Sequence, residues 1–155
     1  QLENMRSLIL VISISLLLSC QSAPGPRHLK QGDSVSLDKV IAFPELSSHI
    51  ILQAGEVIMD NDLMAYQTSR VVDNNDPGPG AIKPQHYQVR KVTYNEEMYS
   101  DAAAIIRYFT EFHLISDEDH QQDIIITCQI LDDTMRHHNF PIDAVALATG
   151  GYFSF

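Results

Sequence analysis

Two aspartates and two histidines, Asp132-Asp133 and His137-His138, are the residues of this 155-residue chain whose types and spacing come nearest to chemistry. Carboxylate oxygen and imidazole nitrogen are ligands for zinc, and a bound zinc would make the cluster a metal-dependent hydrolase site. Adjacent histidines on a strand point to opposite faces, so only a loop lets both join one ligand set. His120 and Asp117 to Asp119 would be further donors. The competing reading is a solvated polar loop from Asp132 to Asn139. It is preferred, because a structural zinc needs four ligands in tetrahedral reach. No metal and no cofactor is therefore expected, and no residue is assigned as catalytic.

Two further patterns fall away on inspection. Asp73-Asn74-Asn75-Asp76 with Gly78 spaces oxygen ligands like a calcium loop. The twelfth position of such a loop needs a bidentate carboxylate, and Pro84 stands there, which leaves an Asx-rich turn. Gly150-Gly151 follows a predicted helix instead of preceding one, so it is a helix stop and not a phosphate cradle. The sequence carries no nucleophile elbow, Gly-rich phosphate loop, zinc helix or paired-cysteine ligand set.

The stretch Met5 to Cys20 speaks to location. A short segment with one positive charge, Arg6, precedes an uncharged run from Leu8 to Leu18. The run is well short of the ~20 apolar residues that span a bilayer, and it has the layout of a secretory leader. Leu17-Leu18-Ser19-Cys20 resembles the bacterial lipobox, which makes Cys20 the expected lipidation site. Each buried methylene of an acyl chain contributes about 0.8 kcal/mol, so several chains together anchor firmly. Gln21 follows the cysteine where an inner-membrane protein often has aspartate, which favours the outer membrane. The expected organisation is residues 1–4 upstream sequence, 5–19 signal peptide, 20–31 lipidated cysteine and flexible tether, and 32–155 one domain.

Charge narrows the partners. There are 20 acidic and 10 basic residues, a net charge of -10. Such a chain lacks the phosphate-neutralising surface that nucleic acid requires. It is equally unsuited to broad adhesion on anionic headgroups. With Cys20 acylated, Cys128 has no intramolecular partner, and its apolar surroundings make it a small buried hydrophobe.

The elements around these residues read mainly as strands. Ser34 to Phe43 alternates, with Val35, Leu37 and Lys39 on one side, and Pro44 ends it. His49 to Gln53 and Glu56 to Met59 flank Ala54-Gly55, a two-residue hairpin turn. Met64 to Val72 is a further strand with Met64, Tyr66, Thr68 and Arg70 on one face. In His86 to Tyr94, the residues Tyr87, Val89 and Lys91 oppose Gln88, Arg90 and Val92. Asn95 to Asp101 reads as a polar loop. Ala102 to Ile115 fits either a helix, with Ala102, Ile105, Ile106, Phe109 and Phe112 on one face, or a strand; aromatic and β-branched content favours strand for Arg107 to Ile115, and Asp123 to Ile130 is the best central strand. Pro141 to Thr149 is a short helix with Ile142, Val145, Ala146 and Thr149 inward, Asp143 in its first turn and Gly150 after its end. Tyr152 to Phe155 closes the domain. Six or seven short strands and one C-terminal helix predict a mainly β fold, α+β at the margin, built as a small antiparallel barrel or sandwich.

Several of these elements together resemble a family of small, uncharacterised proteobacterial lipoproteins. Gln53-Ala54-Gly55 is similar to the family's Gln-x-Gly hairpin. Ile82-Lys83-Pro84-Gln85-His86-Tyr87-Gln88-Val89 is similar to its pattern of Ile-x-Pro, an aromatic and Val. Leu37, Tyr66, Leu114-Ile115-Ser116, Thr127-Cys128 and the helix to Gly150 complete the likeness. The resemblance implies fold and location, with no activity attached. It also implies a cysteine a few residues after Tyr66, paired with the Cys128-like one. This chain has Gln67-Thr68-Ser69-Arg70 there, so such a bridge is absent.

Two functions from different classes follow as expectations. One is a membrane-anchored envelope lipoprotein, in the outer membrane and facing the periplasm. Its β-domain would be a non-catalytic module for a protein or glycan partner. The other is a metal-binding protein or hydrolase using Asp132, Asp133, His137 and His138. Convergence of histidine and carboxylate in one cleft would speak for chemistry, and an exposed apolar or aromatic patch for binding.

Overall fold

The computed structural model describes residues 25–45, 47–64, 67–74, 80–100, 104–118, 123–134 and 139–155. Met5 to Cys20, Tyr66, His120, His137 and His138 lie outside the described residues. Among the described residues there are ten strands: β1 (Ser34–Leu37), β2 (Ile41–Ala42), β3 (His49–Gln53), β4 (Glu56–Ile58), β5 (Ser69–Asn74), β6 (Ala81–Ile82), β7 (Gln85–Ser100), β8 (Ile105–Ser116), β9 (Ile124–Asp132) and β10 (Phe153–Ser154). One helix, α1, spans Ile142–Thr149. Seven strands have three residues or more, within the six or seven expected. The expected strand Ser34 to Phe43 is split, β1 ending at Leu37 and the two-residue β2 pairing with β6, while β10 falls inside the closing segment Tyr152 to Phe155.

Eight strands form one antiparallel sheet in the order β10-β1-β7-β8-β9-β5-β3-β4, and β2 pairs with β6 in a separate ribbon. The sheet curls into a half-barrel. The β-branched run Ile124–Asp132 lies between β8 and β5, in the central position expected of it. Alternation sends Ile124, Ile126 and Cys128 to one face, where they meet Val72, Leu52 and Val145 of α1 in the main core.

Three expected elements are placed differently. The stretch from Asn95 is strand, not loop: β7 runs to Ser100 and pairs with β8 along its length. Most of its residues there are exposed, so no apolar alternation marked it. The alternation of β7 also changes phase. An extra residue at Arg90 interrupts the pairing between Val89 and Lys91, so Val92 joins the core side and Lys91 faces out. Finally, Ser69 and not Met64 begins β5. The Gln53 carboxamide takes over at Met64, accepting its N–H at 3.0 Å and donating to its carbonyl at 3.0 Å.

The domain also begins earlier than Gly32. Leu29 is buried in the core, His28 bridges to Pro141, and the Arg27 carbonyl accepts the Ile142 N–H at 2.8 Å. Proline at 141 has no N–H to leave unpaired at the helix start. On α1 the inward residues are Val145, Ala148 and Thr149, while Ala146 is half-buried.

The docking of α1 explains that rotation. The hairpin turn of Ala54 (φ 52°) and Gly55 (φ 83°) sits against the end of the helix, and the Gly55 N–H donates to the Ala148 carbonyl at 3.1 Å. Gly150 closes the helix in the left-handed region, its N–H donating to the Ala146 carbonyl. The two glycines touch backbone to backbone: a Cβ on Gly150 would lie 2.1 Å from the Gly55 Cα. Lys39 seals the contact from outside, with Nζ 3.1 Å from the Gly150 carbonyl and 5.0 Å from the centre of the Tyr152 ring.

Gly150→Ala is therefore expected to cost about 2–4 kcal/mol in urea denaturation, from a left-handed non-glycine residue and forced overpacking. Gly25→Ala, with open space around it, serves as the neutral control. Equal midpoints for the two variants would mean that the glycines do not touch.

Cys128 is fully buried and unpaired, and burial pushes its thiol up to about 12. In a Cys20→Ser background, a thiol reagent is expected to label it only after unfolding. Rapid labelling of the native protein would place the strand wrongly.

Candidate functional site

Of the Asp132 cluster, only the two aspartates lie among the described residues. Asp132 ends β9 with 1 % of its surface exposed, so it belongs to the strand and not to a solvated loop. Its Oδ1 accepts the Thr134 N–H at 2.9 Å and the Thr134 hydroxyl at 2.7 Å, a turn that stops the strand. Asp133, by contrast, is exposed. Among the described residues no three of His, Cys, Asp and Glu are placed to hold a metal ion.

Polar groups converge elsewhere, on the sheet face turned away from α1. Strand alternation puts His49 of β3, Asp73 of β5, Gln129 of β9, Arg107 of β8 and Glu97 of β7 on that face. Flat strands would keep the Asp73 end of the sheet far from the Arg107 end. The curl brings them around one cleft of about 410 Å³. Ile51, Val71 and Leu63 supply its apolar wall.

Arg107 is the organising cation. Its Nη1 donates to Glu97 Oε1 at 2.6 Å, its Nε donates to Gln129 Oε1, and its guanidinium lies 4.5 Å from the centre of the Phe109 ring. Two of its three nitrogens are engaged, and Glu97 is the carboxylate that matches its charge.

Tyr99 reaches the cleft through a second bulge in β7, between Met98 and Ser100. An extra residue in one strand re-aims its side chain, and the Tyr99 ring is left half in water at 52 % exposure.

Asp73 is the group without a match. No described side chain donates a hydrogen bond to its carboxylate. Burial raises its pKa above the ordinary range; His49 and Arg107 pull it down, and Glu111 pushes it up. The raised value marks an ion that its surroundings solvate poorly. None of these cleft residues was singled out from the sequence. Asp73 was read there only as the start of a calcium-like turn, yet it lies in β5 and lines the cleft.

A different oddity lies on the core side. Arg70 is fully buried directly opposite Cys128 in the β5–β9 pairing. Its Nη1 donates to the Ser69 carbonyl at 2.7 Å, and its guanidinium stands 5.2 Å from the centre of the Phe140 ring. Burial lowers its pKa. Arg70 is a core residue.

Comparison with protein-family models, with curated proteins and with solved structures finds no match to this chain.

The Asp73 environment has a pH consequence. An acid whose folded pKa is raised binds its proton more tightly when folded, so it destabilises the fold above that pKa, and the cost disappears as pH falls through the unfolded value. Asp73→Asn is thus expected to be more stable than the parent at pH 7, with the advantage gone at pH 3. Thermal melts across that range check it, and a destabilised variant at pH 7 would mean that the carboxylate is satisfied.

Proposed function

We propose that this chain is a lipid-anchored lipoprotein of the bacterial outer membrane, its β-domain facing the periplasm as a non-catalytic binding module for an envelope protein or glycan. The anchoring half rests on Leu17-Leu18-Ser19-Cys20 and the leader before it. The binding half rests on one observation: a cleft in which the charged groups other than Asp73 already have partners on their own scaffold.

That arrangement suits recognition better than turnover. His49 and Asp73 do converge, which is raw material for proton transfer. Yet Glu97 is held by Arg107, and the described residues lining the cleft include no Ser, Thr, Cys or Lys to act as nucleophile. Pre-paired side chains on strands keep their geometry whether or not a ligand is bound. An apolar groove of about 370 Å³ beside α1, with Leu147 78 % exposed, adds a second surface of the kind that partners cover.

Membrane fractionation of parent and Cys20→Ser tests the anchor. The variant is expected to leave the membrane fraction or to remain unprocessed, and a processed, membrane-bound variant would refute lipidation at Cys20. A photoreactive residue in place of Leu63, in the cleft wall, tests the binding half in the intact envelope. A specific adduct supports it, and crosslinking no greater than from an exposed control position on β4 counts against it.

A further inference from the structure

We propose that the cleft between β3, β5, β7 and β8 binds a primary alkylammonium group, with Asp73 as its counter-ion and Tyr99 over its outer side. The inference rests on the binding-module reading and names the ligand chemistry.

Charge comes first. Arg107 and Glu97 lie 2.6 Å apart and largely cancel, which leaves Asp73, with His49 across the ladder from it, as a carboxylate that no described side chain hydrogen-bonds. A half-buried carboxylate with no hydrogen-bond donor is costly, and a ligand that brings a cation and donors relieves that cost. The compact ammonium supplies three donors at once. An anion would meet the carboxylates of Asp73 and Glu97, with the charge of Arg107 already paired to Glu97.

Shape and lining say what lies behind the charge. Ile51, Val71 and Leu63 line the cleft with aliphatic surface, which fits a chain of methylenes. The Tyr99 ring, aimed by its bulge, adds a π-face for the ammonium. About 410 Å³ is ample for a short alkyl chain. The whole protein, at a net charge of -10, draws a cation toward it. The source could be a free amine or a lysine side chain of a peptide, and both offer the same group.

The test is an NMR titration of the full-length protein in neutral-detergent micelles. The probes share a five-carbon chain: cadaverine, the neutral 1,5-pentanediol and the dianion glutarate. A fourth probe is acetyl-Gly-Lys-Gly-amide. Cadaverine or the lysine peptide is expected to shift the amide signals of β3, β5 and the far half of β7 saturably. Asp73→Asn should weaken this roughly tenfold, as loss of a charge-assisted contact does. Tyr99→Leu, at an exposed position, should weaken it less. Cadaverine alone binding would point to a free amine, and the peptide alone to a lysine side chain; either supports the proposal. Pentanediol or glutarate binding as well as cadaverine would overturn the ammonium inference while keeping the cleft as a ligand site. No response to any probe would overturn the inference too, and the crosslinking from position 63 would then judge the binding module separately. Unchanged cadaverine affinity in Asp73→Asn would remove Asp73 as the counter-ion and overturn the proposal.

Discussion

Both faces of the domain depend on the pairing of β7 with β8. It is the longest ladder in the sheet, and it is interrupted twice, at Arg90 and at Tyr99. The first interruption changes which residues of β7 face the core: Tyr87 and Val89 before it, Val92 after it. The second turns Tyr99 toward the opposite face. A bulge adds local twist as well as a residue, and a twisted ladder this long cannot stay flat. The curl follows, and with it the gathering of Arg107, Glu97 and Asp73 around one cleft. Core and cleft are two results of one irregular hairpin.

The fold class was legible because its signals are local. Alternation in Ser34 to Leu37, the Ala54-Gly55 turn and the β-branched run in β9 each reflect a neighbour-level rule. The second half of β7 was not legible. Glu96, Glu97 and Asn95 are exposed, and strand identity there comes from the backbone ladder to β8, which writes nothing into the side chains. The expected phase of Lys91 failed for a related reason, because one inserted residue reverses every side chain beyond it.

The site was less legible than the fold. Sequence proximity drew attention to Asp132, Asp133, His137 and His138. In space Asp132 is occupied with stopping β9. The cleft instead gathers five residues from five strands, spread from His49 to Gln129, and only the curl relates them. The one faint signal available was Arg107, a charge inside a run otherwise rich in aromatic and β-branched residues. A cation in such a strand needs a partner, and its partners Glu97 and Gln129 define the cleft.

Gln53, Gly55 and Tyr87 serve mostly to hold the fold. Gln53 secures the segment at Met64, and Gly55 admits the close approach of Gly150. Ser116 donates to Gln85 at 2.8 Å, Gln85 donates to the Tyr87 hydroxyl at 2.6 Å, and Tyr87 is fully buried. Arg70 and Cys128 make the contrast. They face each other across β5 and β9. A buried guanidinium partnered by one carbonyl and an aromatic face is costly to hold there. The surrounding packing of Ile126, Val72 and Phe140 must offset that cost. Hydrophobic burial around the pair, unlike a covalent link, favours the native state without restricting the unfolded one.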